Sequence, residues 1–401
     1  MRVLLLTFYY EPDLSAGSFR AAALVKALRQ LETPGLTVDV VTTEPNRYHS
    51  FNTTAAGTGH SPEVEVQRIR LPQHRSDMLG QARAFATYAR AAMRLTAGKR
   101  YDVVVATSSR LMTAALGAFV ARRAGAPLYL DIRDIFVDTM ADVLPGAAGR
   151  LLQPVLNAIE RRTMRQAARI NLVSEGFAGY FTARYPDRPL SFHTNGIDDE
   201  FLQVPDQQAP PGGAVAGDGS IAEVLYAGNI GEGQGLHLIL PQLARQLRGS
   251  ARFTVIGDGG RKRELEAGIR DAGVEDLVSI LPPVARKELL ERYRRADVLF
   301  LHLNAYDAFL KVLPSKIFEY GALGKPILAG VAGFAGEFVS KEVDNAAVFP
   351  PCDPAAGAAA FRTLSLETVQ RARFRQKFAR ARIKQAMARD ILQTAPPESA
   401  Q

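Results

Sequence analysis

The chain has 401 residues, more than one hydrophobic core usually supports, so its length predicts two domains. Hydrophobic residues make up 47% of it and charged residues 22%, as in ordinary globular proteins, and the net charge of +8 favours anionic partners such as nucleotides, phospholipid or nucleic acid. The single cysteine excludes a disulfide framework and a cysteine-built metal site, and it fits a reducing compartment.

The amino-terminal stretch MRVLLLTFYYEPD predicts a buried first strand and no targeting segment. It has one basic residue, a short apolar run and no small-residue cleavage site of the kind that a secretory signal requires. No apolar run in the sequence reaches about 18 residues, so we expect no transmembrane helix.

In the amino-terminal half, short apolar strands alternate with longer helices. The predicted strands are 2–8, 37–43, 64–70, 102–108, 127–133 and 169–174. The predicted helices are 18–31, 77–98, 110–124 and 147–167. Because the strands are apolar throughout, they indicate a parallel sheet covered on both faces. The alternation indicates a doubly wound α/β domain.

The stretch PDQQAPPGGAVAGDGS at 205–220 predicts a linker, although a long surface loop within one domain also fits. Beyond it the alternation resumes. The predicted strands are 222–228, 252–259, 277–283, 297–303, 326–331 and 346–350, and the helices are 235–248, 261–273, 285–295, 315–323 and 333–339. We therefore predict two Rossmann-like domains, 1–204 and 221–365. A basic helical segment with a disordered tail, TAPPESAQ, follows at 366–401.

The turn after the first strand, 11–22 (EPDLSAGSFRAA), is a candidate site, because ligands of such sheets bind at the carboxyl ends of the strands. Gly17 allows close backbone approach, and Ser18 can cap the following helix. Arg20 in the first turn opposes the helix dipole unless an anion binds beside it. The stretch predicts an anion or hydroxyl site, although a plain capped turn explains the same residues.

The strand end LDIRDIFVD at 130–138 places Asp131, Arg133, Asp134 and Asp138 at the same edge of the sheet. One interpretation is a mutual salt-bridge network. The other is recognition of sugar hydroxyls, or a carboxylate near the reacting centre.

The segment YAGNIGEGQGLHLIL at 226–240 runs from a strand through a glycine-rich turn into a helix. Its glycines are Gly228, Gly231, Gly233 and Gly235, and they leave several backbone N–H groups unobstructed at a helix N-terminus. The spacing is that of neither a Walker loop nor the usual dinucleotide fingerprint. The segment predicts a phosphate cradle, and a simple glycine-rich turn is the alternative.

In 254–266 (TVIGDGGRKRELE) a strand ends in glycines that include Gly257, and three cations then open a helix. The cations are Arg261, Lys262 and Arg263. Cations at a helix N-terminus are unfavourable unless an anion such as a diphosphate binds there. A solvated helix start is the alternative.

The segment LPSKIFE at 313–319 combines features that suit a nucleoside diphosphate. Pro314 fixes the turn, Ser315 can cap the helix, and the backbone N–H groups of 315–317 can face an anion. Lys316 adds a positive charge. Glu319 lies one turn further on and can accept both hydroxyl donors of a ribose diol.

The second half of the sequence resembles the carboxyl-terminal half of retaining glycosyltransferases of the GT-B fold, family GT4. The resemblance rests on the segments YAGNIG, VIGDGGRKREL and LPSKIFEYGALGKPIL. The first half of the sequence is similar to that of the subgroup that builds bacterial surface polysaccharide, such as the WbuB-type N-acetyl-L-fucosamine transferases. The similarity rests on YYEPDLSAGSFRAAAL and VVVATSSR…LYLDIRDIF. The resemblance implies two Rossmann-like domains that face each other across a cleft. It also implies a nucleotide-sugar donor in the second domain and an acceptor in the first.

The resemblance also assigns residues. Of the family's Glu-x7-Glu pair, the second glutamate matches Glu319, but the first falls at Lys311. Asn229 stands near the family's usual arginine, and Gln234 or Gly235 near its usual lysine. Arg133 and Asp134 replace the family's frequent histidine. The implied donor site comprises Gly228, Asn229, Gly231, Gly257, Arg261, Leu313, Pro314, Ser315, Lys316 and Glu319. The implied acceptor site comprises Gly17, Ser18, Arg20, Arg133 and Asp134.

The resemblance further implies a retaining transfer without metal or cofactor, and the sequence contains no Asp-x-Asp motif. We expect the catalytic residues to be Asp134, Arg261 and Lys316. The diphosphate would leave on the front face, helped by Arg261, Lys316 and the helix N-termini. The acceptor hydroxyl would lose its proton to the leaving phosphate.

The basic helix at 81–102 suggests peripheral attachment to an anionic membrane. Its apolar positions are Phe85, Tyr88, Ala92 and Leu95, with Arg83, Arg90, Arg94, Lys99 and Arg100 around them. Such a helix can lie on lipid, and an ordinary domain helix with a solvated face fits equally. Arg110, Arg122 and Arg123 would extend the surface. We expect the protein to attach to the cytoplasmic side of the cell membrane.

The predicted function is transfer of a sugar, such as an N-acetylated amino or deoxyamino sugar, from a UDP-linked donor. The acceptor would be a polyprenyl-diphosphate-linked sugar or a precursor of O-antigen or capsule. Two alternatives stay open: an isomerase like the UDP-GlcNAc 2-epimerases, for which His193 and His302 are weak candidates, and a non-catalytic protein that binds nucleotides or lipid surfaces. A nucleic-acid partner is not expected, because no basic-aromatic stripe occurs.

Overall fold

The computed structural model describes residues 1–13, 15–45, 58–72, 78–108, 111–135, 137, 147–203 and 221–396, and at 58–61, 78, 79 and 147–151 it describes the backbone only. The predicted linker at 205–220, Arg110, Asp138 and residues 397–401 of the tail lie outside the described residues. The chain divides into two compact units. Unit 1 comprises 1–195 and 380–401, and unit 2 comprises 196–379.

Within the described residues, unit 1 contains an eight-stranded sheet in the order β3-β4-β2-β1-β5-β6-β7-β8. The strands are β1 (Arg2–Leu6), β2 (Thr37–Thr43), β3 (Thr58–Ser61), β4 (Val64–Ile69), β5 (Val103–Ser108), β6 (Leu128–Ile132), β7 (Ala167–Leu172) and β8 (Leu190–Ser191). Only β3 runs antiparallel to its neighbour among these described strands. The six predicted strands are confirmed. The sequence did not indicate β3 and β8, which are too short to show a pattern.

Helices cover the sheet of unit 1. They are α1 (Ala16–Arg29), α2 (Met78–Leu95), α3 (Leu111–Ala124), α4 (Ala147–Gln166), α5 (Ala178–Arg184) and, from the end of the chain, α14 (Arg380–Thr394). Met387, Ala388 and Ile391 of α14 join the core formed by α1 and the sheet. The sequence predicts one terminal segment, 366–401, whereas the structure shares that segment between the units. The reason is that α14 buries its apolar face against α1.

Unit 2 contains, in its described part, a six-stranded parallel sheet in the order β11-β10-β9-β12-β13-β14. Its strands are β9 (Ala222–Asn229), β10 (Ala251–Asp258), β11 (Val278–Leu281), β12 (Val298–His302), β13 (Ile327–Gly330) and β14 (Ala346–Phe349). Its helices are α6 (Asp199–Leu202), α7 (Leu236–Gln246), α8 (Lys262–Asp271), α9 (Arg286–Arg295), α10 (Lys316–Ala322), α11 (Gly333–Glu342), α12 (Pro354–Phe361) and α13 (Ala372–Phe378). The doubly wound prediction is confirmed.

The strand order reverses direction between β1 and β5 in unit 1 and between β9 and β12 in unit 2. Ligands of doubly wound sheets bind outside the carboxyl ends of the strands at such reversal points. The turns that follow β1 and β9 are therefore the first places to look for a site in each unit.

Candidate functional site

In unit 2, the glycine-rich ends of β9 and β10, with the turns that follow them, pack directly on each other. A Cβ atom at Gly257 would lie 1.8 Å from the carbonyl oxygen of Gly228, and one at Gly259 would lie 2.4 Å from that of Ile230. The Arg261 N–H donates to the Ile230 oxygen at 2.9 Å. Only glycine permits this approach, so the two predicted glycine-rich segments form one structure at the reversal point.

Lys316 lies over this structure. A Cβ atom at Gly228 would be 2.5 Å from Lys316 Cε and 3.0 Å from Nζ. Burial lowers the pKa of the Lys316 ammonium, Glu319 opposes this shift, and the positive charge of Arg286 adds to it. The structure thus brings together Gly228, Lys316 and Glu319, as the nucleotide prediction requires.

The start of α10 differs from its prediction in two respects. Ser315 stands at the N-cap position, but its backbone is helical and its side chain makes no capping hydrogen bond. The Ile317 N–H donates to the Pro314 oxygen at 3.2 Å and so does not face a ligand. The capping prediction is wrong, and the anion prediction is wrong at Ile317, because the preceding turn already continues helically into α10. For the N–H groups of Ser315 and Lys316 it stays a prediction. Leu313 is buried beneath this turn.

Arg261 does not stand as an isolated cation at the start of α8. Its Nε donates to Glu232 at 2.5 Å and its Nη1 to Glu264 at 2.7 Å. Both hydrogen bonds raise the pKa of its guanidinium, and the one to Glu264 has the larger effect. The predicted diphosphate contact would therefore require Arg261 to exchange a carboxylate partner for phosphate. Asn229 likewise donates to Gln234 within the turn.

Arg286 is a site residue that sequence reasoning missed. It ion-pairs with Asp198 and Glu200, and its charge also interacts with Glu319. A signal was present, because Arg286 is a cation in the first turn of α9, where the helix dipole disfavours it. Its partners precede the predicted second domain in the sequence, so no local pattern could reveal them.

Buried polar residues lie behind the glycine turn, and the sequence analysis named one of them, His302, only as a weak candidate of the isomerase alternative. His302 at the end of β12 donates from Nδ1 to the Gln234 oxygen at 2.7 Å, and its Nε2 accepts the Cys352 N–H at 2.9 Å. Burial lowers the pKa of His302 to about 4, against the opposing effect of the Gln234 carbonyl. This bonding fixes the neutral tautomer with its proton on Nδ1.

Asn304 adds two further bonds to the same turn. Its N–H donates to the Gly233 oxygen at 2.9 Å, and its Nδ2 donates to the Glu232 oxygen at 2.9 Å. His302 and Asn304 therefore hold the backbone of the glycine turn from below. The sequence signal for them was a pair of polar residues closing an otherwise apolar strand.

In unit 1, the start of α1 differs from its prediction. Ser15 is the N-cap, and its Oγ accepts the Ser18 N–H at 3.2 Å. Ser18 is itself buried, so the prediction that it caps the helix is wrong. Because α1 begins at Ala16, Arg20 lies in the second turn and not in the first.

Arg20 is buried, and its partners belong to the protein. Its Nε and Nη2 each donate to the Asp131 carboxylate at 2.7 Å, and Nη1 and Nη2 donate to the carbonyl oxygens of Thr194 and His193. Burial raises the pKa of Asp131, but the charge of Arg20 outweighs this and lowers it to about 2. Arg20 thus occupies a buried salt bridge, which corrects the expectation that it contacts an acceptor.

Arg133 and Gly17 lie together at the reversal point of unit 1. A Cβ atom at Gly17 would be 2.2 Å from Arg133 Nη1. Asp134 follows with an exposed side chain. The salt bridge that forms at this strand end joins Asp131 to Arg20, a residue outside the predicted stretch 130–138. The mutual network within that stretch, and the acceptor roles of Arg133 and Asp134, stay predictions.

Part of the apolar stripe of α2 faces the protein core. Tyr88 and Ala92 are fully buried, and the Tyr88 hydroxyl donates to the Val41 oxygen at 2.9 Å. Phe85 and Leu95 are half-buried. Tyr88 and Ala92 therefore pack on the sheet and do not lie on lipid, as the interpretation of an ordinary domain helix expects. Among the described residues, no helix is both long and apolar enough to cross a membrane. Within the same residues, no group of three or more His, Cys, Asp or Glu side chains is placed to hold a metal ion.

Solved structures share the fold of this chain. One is sucrose-phosphate synthase from Thermosynechococcus elongatus, with a TM-score of 0.73 and 14% identity over 98% of both chains. Another is Anabaena HepE in complex with UDP-glucose, with a TM-score of 0.66 and 17% identity over 98% of this chain and 100% of that one. At such identities the likeness establishes the fold, which is GT-B.

Two family models match the sequence. The model "Glycosyl transferases group 1" matches residues 219–381, and "Glycosyl transferase 4-like domain" matches residues 17–196. Each of these glycosyltransferase domain models matches less than half of the chain. A curated relative, D-inositol 3-phosphate glycosyltransferase from Xylanimonas cellulosilytica, is 30% identical to this chain over 154 residues, 37% of its length. The match spans 35% of the relative, about a third of its length.

Proposed function

We propose that this protein is a glycosyltransferase that moves a sugar from a UDP-linked donor, with retention of configuration, to a polyprenyl-diphosphate-linked sugar in surface-polysaccharide synthesis. The observation that carries the proposal is the juxtaposition of the two glycine turns, Lys316 and Glu319 at the reversal point of unit 2. The solved HepE structures, which share the fold, are complexes with UDP and UDP-glucose.

Each of these groups has a task in donor binding. The close packing of the glycine-rich segments holds Lys316 against Gly228, where it can face a diphosphate at the N-termini of the following helices. Lys316 offsets the diphosphate charge from a partly desolvated position, where electrostatic attraction is stronger than in water. Glu319 accepts the two ribose hydroxyls.

The reaction requires one bond to break and one to form on the same face of the sugar. The anomeric C–O bond to the diphosphate breaks as the acceptor oxygen bonds to the anomeric carbon, and the hydroxyl proton passes to the leaving phosphate. Lys316 stabilises the developing charge on the diphosphate. Arg261 contributes once it releases Glu232. In this proposal no metal or cofactor takes part, and a membrane-anchored acceptor places the enzyme at the cytoplasmic face of the membrane.

Calorimetric titration with UDP and GDP tests the donor site. We expect UDP to bind, and Glu319→Ala and Lys316→Ala each to weaken its binding about tenfold or more through loss of charge-assisted contacts. Glu337→Ala, an exposed glutamate of α11, is the matched control and should leave the affinity unchanged. If neither nucleotide binds to the folded protein, the proposal is wrong. An isomerase would instead turn over UDP-sugar without any acceptor.

A further inference from the structure

The glycine-rich turn after β9 carries an acid, Glu232, where the proposed donor would bring negative charge. It is the only acid in the sequence segment 226–240. This segment leads into the N-terminus of α7, and a helix N-terminus stabilises a carboxylate and a phosphate for the same electrostatic reason. Glu232 and an anionic ligand therefore depend on the same positive environment.

The Glu232 carboxylate contacts groups from the loops after two strands that flank β9 in the sheet. Arg261, after β10, donates from Nε to Oε2 at 2.5 Å, and the Tyr306 hydroxyl, after β12, donates to Oε1. Asn304 Nδ2 lies 3.4 Å from Oε1, and His237 Nε2 lies 4.0 Å from Oε2. Guanidinium, phenol and amide groups also bind phosphate oxygens, so this set of donors suits an anionic ligand as well as a carboxylate.

The ion pair between Glu232 and Arg261 can exchange partners. Their side chains are 35% and 42% exposed. Ion pairs at such exposure contribute little to stability, because water hydrates both charges well. A ligand that carries several negative charges can therefore displace the carboxylate without leaving a buried charge unpaired. Arg261 Nη1 keeps its second partner, Glu264, at 2.7 Å in the meantime.

The position of this pair relates it to one phosphate of the donor. Lys316 lies over the start of the glycine-rich turn, and the Arg261 N–H donates to the Ile230 oxygen further along it. Glu319, which we assign to the ribose, is on the same helix as Lys316. Counted outward from the ribose, Lys316 comes first and Arg261 second. This order favours the outer phosphate as the group that reaches Arg261.

We propose that Glu232 is an internal competitor of the donor, because its carboxylate occupies in the free protein the position that the outer phosphate of a nucleoside diphosphate occupies in the complex. Binding exchanges carboxylate for phosphate at Arg261 and Tyr306, and departure of the diphosphate product restores the ion pair. Glu232 thus lowers the affinity for the product and favours its release. This role rests on the proposed function, because it concerns the same donor site.

Calorimetric titration of UDP and UMP into the full chain and into its Glu232→Gln variant tests this role. Glutamine keeps the shape of the side chain and removes its charge. We therefore expect UDP to bind about threefold to fivefold more tightly, the range that an ion pair of this exposure allows. UMP lacks the outer phosphate, so its affinity should stay the same. The gain for UDP should shrink at high salt, which screens exposed charges.

Two further variants separate competition from a general change of charge. In Arg261→Gln the shared cation is absent, so the addition of Glu232→Gln should bring a smaller gain in UDP affinity. Glu275→Gln is the matched control, because this exposed glutamate precedes β11 at the opposite edge of the sheet. It should leave the affinity for UDP unchanged. Circular dichroism checks that every variant is folded.

A weaker affinity for UDP in Glu232→Gln would overturn the proposal, because the carboxylate would then hold Arg261 and Tyr306 in place for the ligand. An unchanged affinity, an equal gain for UMP, or the same gain in Glu275→Gln would overturn it as well. In these cases UDP still binds, and the donor site stands. If neither the unmodified chain nor Glu232→Gln binds UDP, the donor site itself is wrong and this role fails with it.

Discussion

At the level of single residues, Gly257 shows why the glycines of unit 2 matter. The position needs glycine because the carbonyl of Gly228 occupies the space of a Cβ atom. Gly260, three residues further along in the turn after β10, has nothing within 4 Å of the place where its Cβ would be. The two glycines look alike in the sequence, but packing requires glycine only at Gly257.

We predict that Gly257→Ala separates the turns after β9 and β10, because a Cβ placed 1.8 Å from a backbone oxygen forces that backbone to move. The expected results are a loss of about 1–3 kcal/mol in the free energy of unfolding and at least a tenfold loss in UDP affinity. Urea unfolding and calorimetric titration measure them. Gly260→Ala is the control, and equal behaviour of the two variants would contradict the packing described.

At the level of elements, α1, β6 and α14 are joined by buried charge. Arg20 of α1 pairs with Asp131 of β6, and Met387 of α14 lies 3.6 Å from Arg20 Nη2. Lys384 of α14 is fully buried beside them. Its burial, together with the charges of Arg20 and Arg380, holds the pKa of its ammonium well below the usual value. The terminal helix is therefore part of unit 1 through polar contacts as well as apolar ones.

Asp131→Asn should destabilise the protein by about 3–5 kcal/mol, because it leaves the Arg20 charge buried without its counter-ion. The pKa of Asp131 is depressed from 3.8 to about 2, so its contribution is full above pH 3.8 and is lost as the pH falls to about 2. Urea unfolding at neutral pH, followed by circular dichroism, measures the effect. The exposed Asp187→Asn is the control. A loss no larger than that of the control would show that the pair is not structural.

At the level of the whole molecule, we predict that acid stability is limited first by unit 2. The pKa of His302 is lowered from 6.5 to about 4, so the unfolded chain binds a proton that the folded chain excludes. Stability is full above pH 6.5 and falls by about 3 kcal/mol as the pH drops to about 4.

Urea unfolding from pH 7.5 to pH 4, at roughly even steps across the ordinary histidine range, measures this dependence. The variant His302→Asn should lack most of it, at the cost of lower stability at neutral pH. His237→Asn, which changes the neighbouring histidine of α7, should keep it. The same pH dependence in His302→Asn and the unmodified chain would refute the assignment.

The sequence by itself determined the strand and helix order, the two doubly wound sheets and the glycine-rich segments of the candidate donor site. These features depend on local periodicity and turn chemistry, which neighbouring residues reveal. The pairing of Lys316 with Glu319 was also predicted in this way, since both lie on one short helix that follows a turn; their role in donor binding stays a prediction.

Only the tertiary structure decided which distant groups pair. Arg20 and Asp131 are 111 positions apart, and His302 and Gln234 are 68 apart, so no local pattern could show that Arg20 is a buried structural cation or that His302 supports the glycine turn. The same holds for Ser15 replacing Ser18 as the cap, and for α14 joining unit 1. Such outcomes depend on which groups lose their water when the chain packs, and packing brings together residues that the sequence keeps apart.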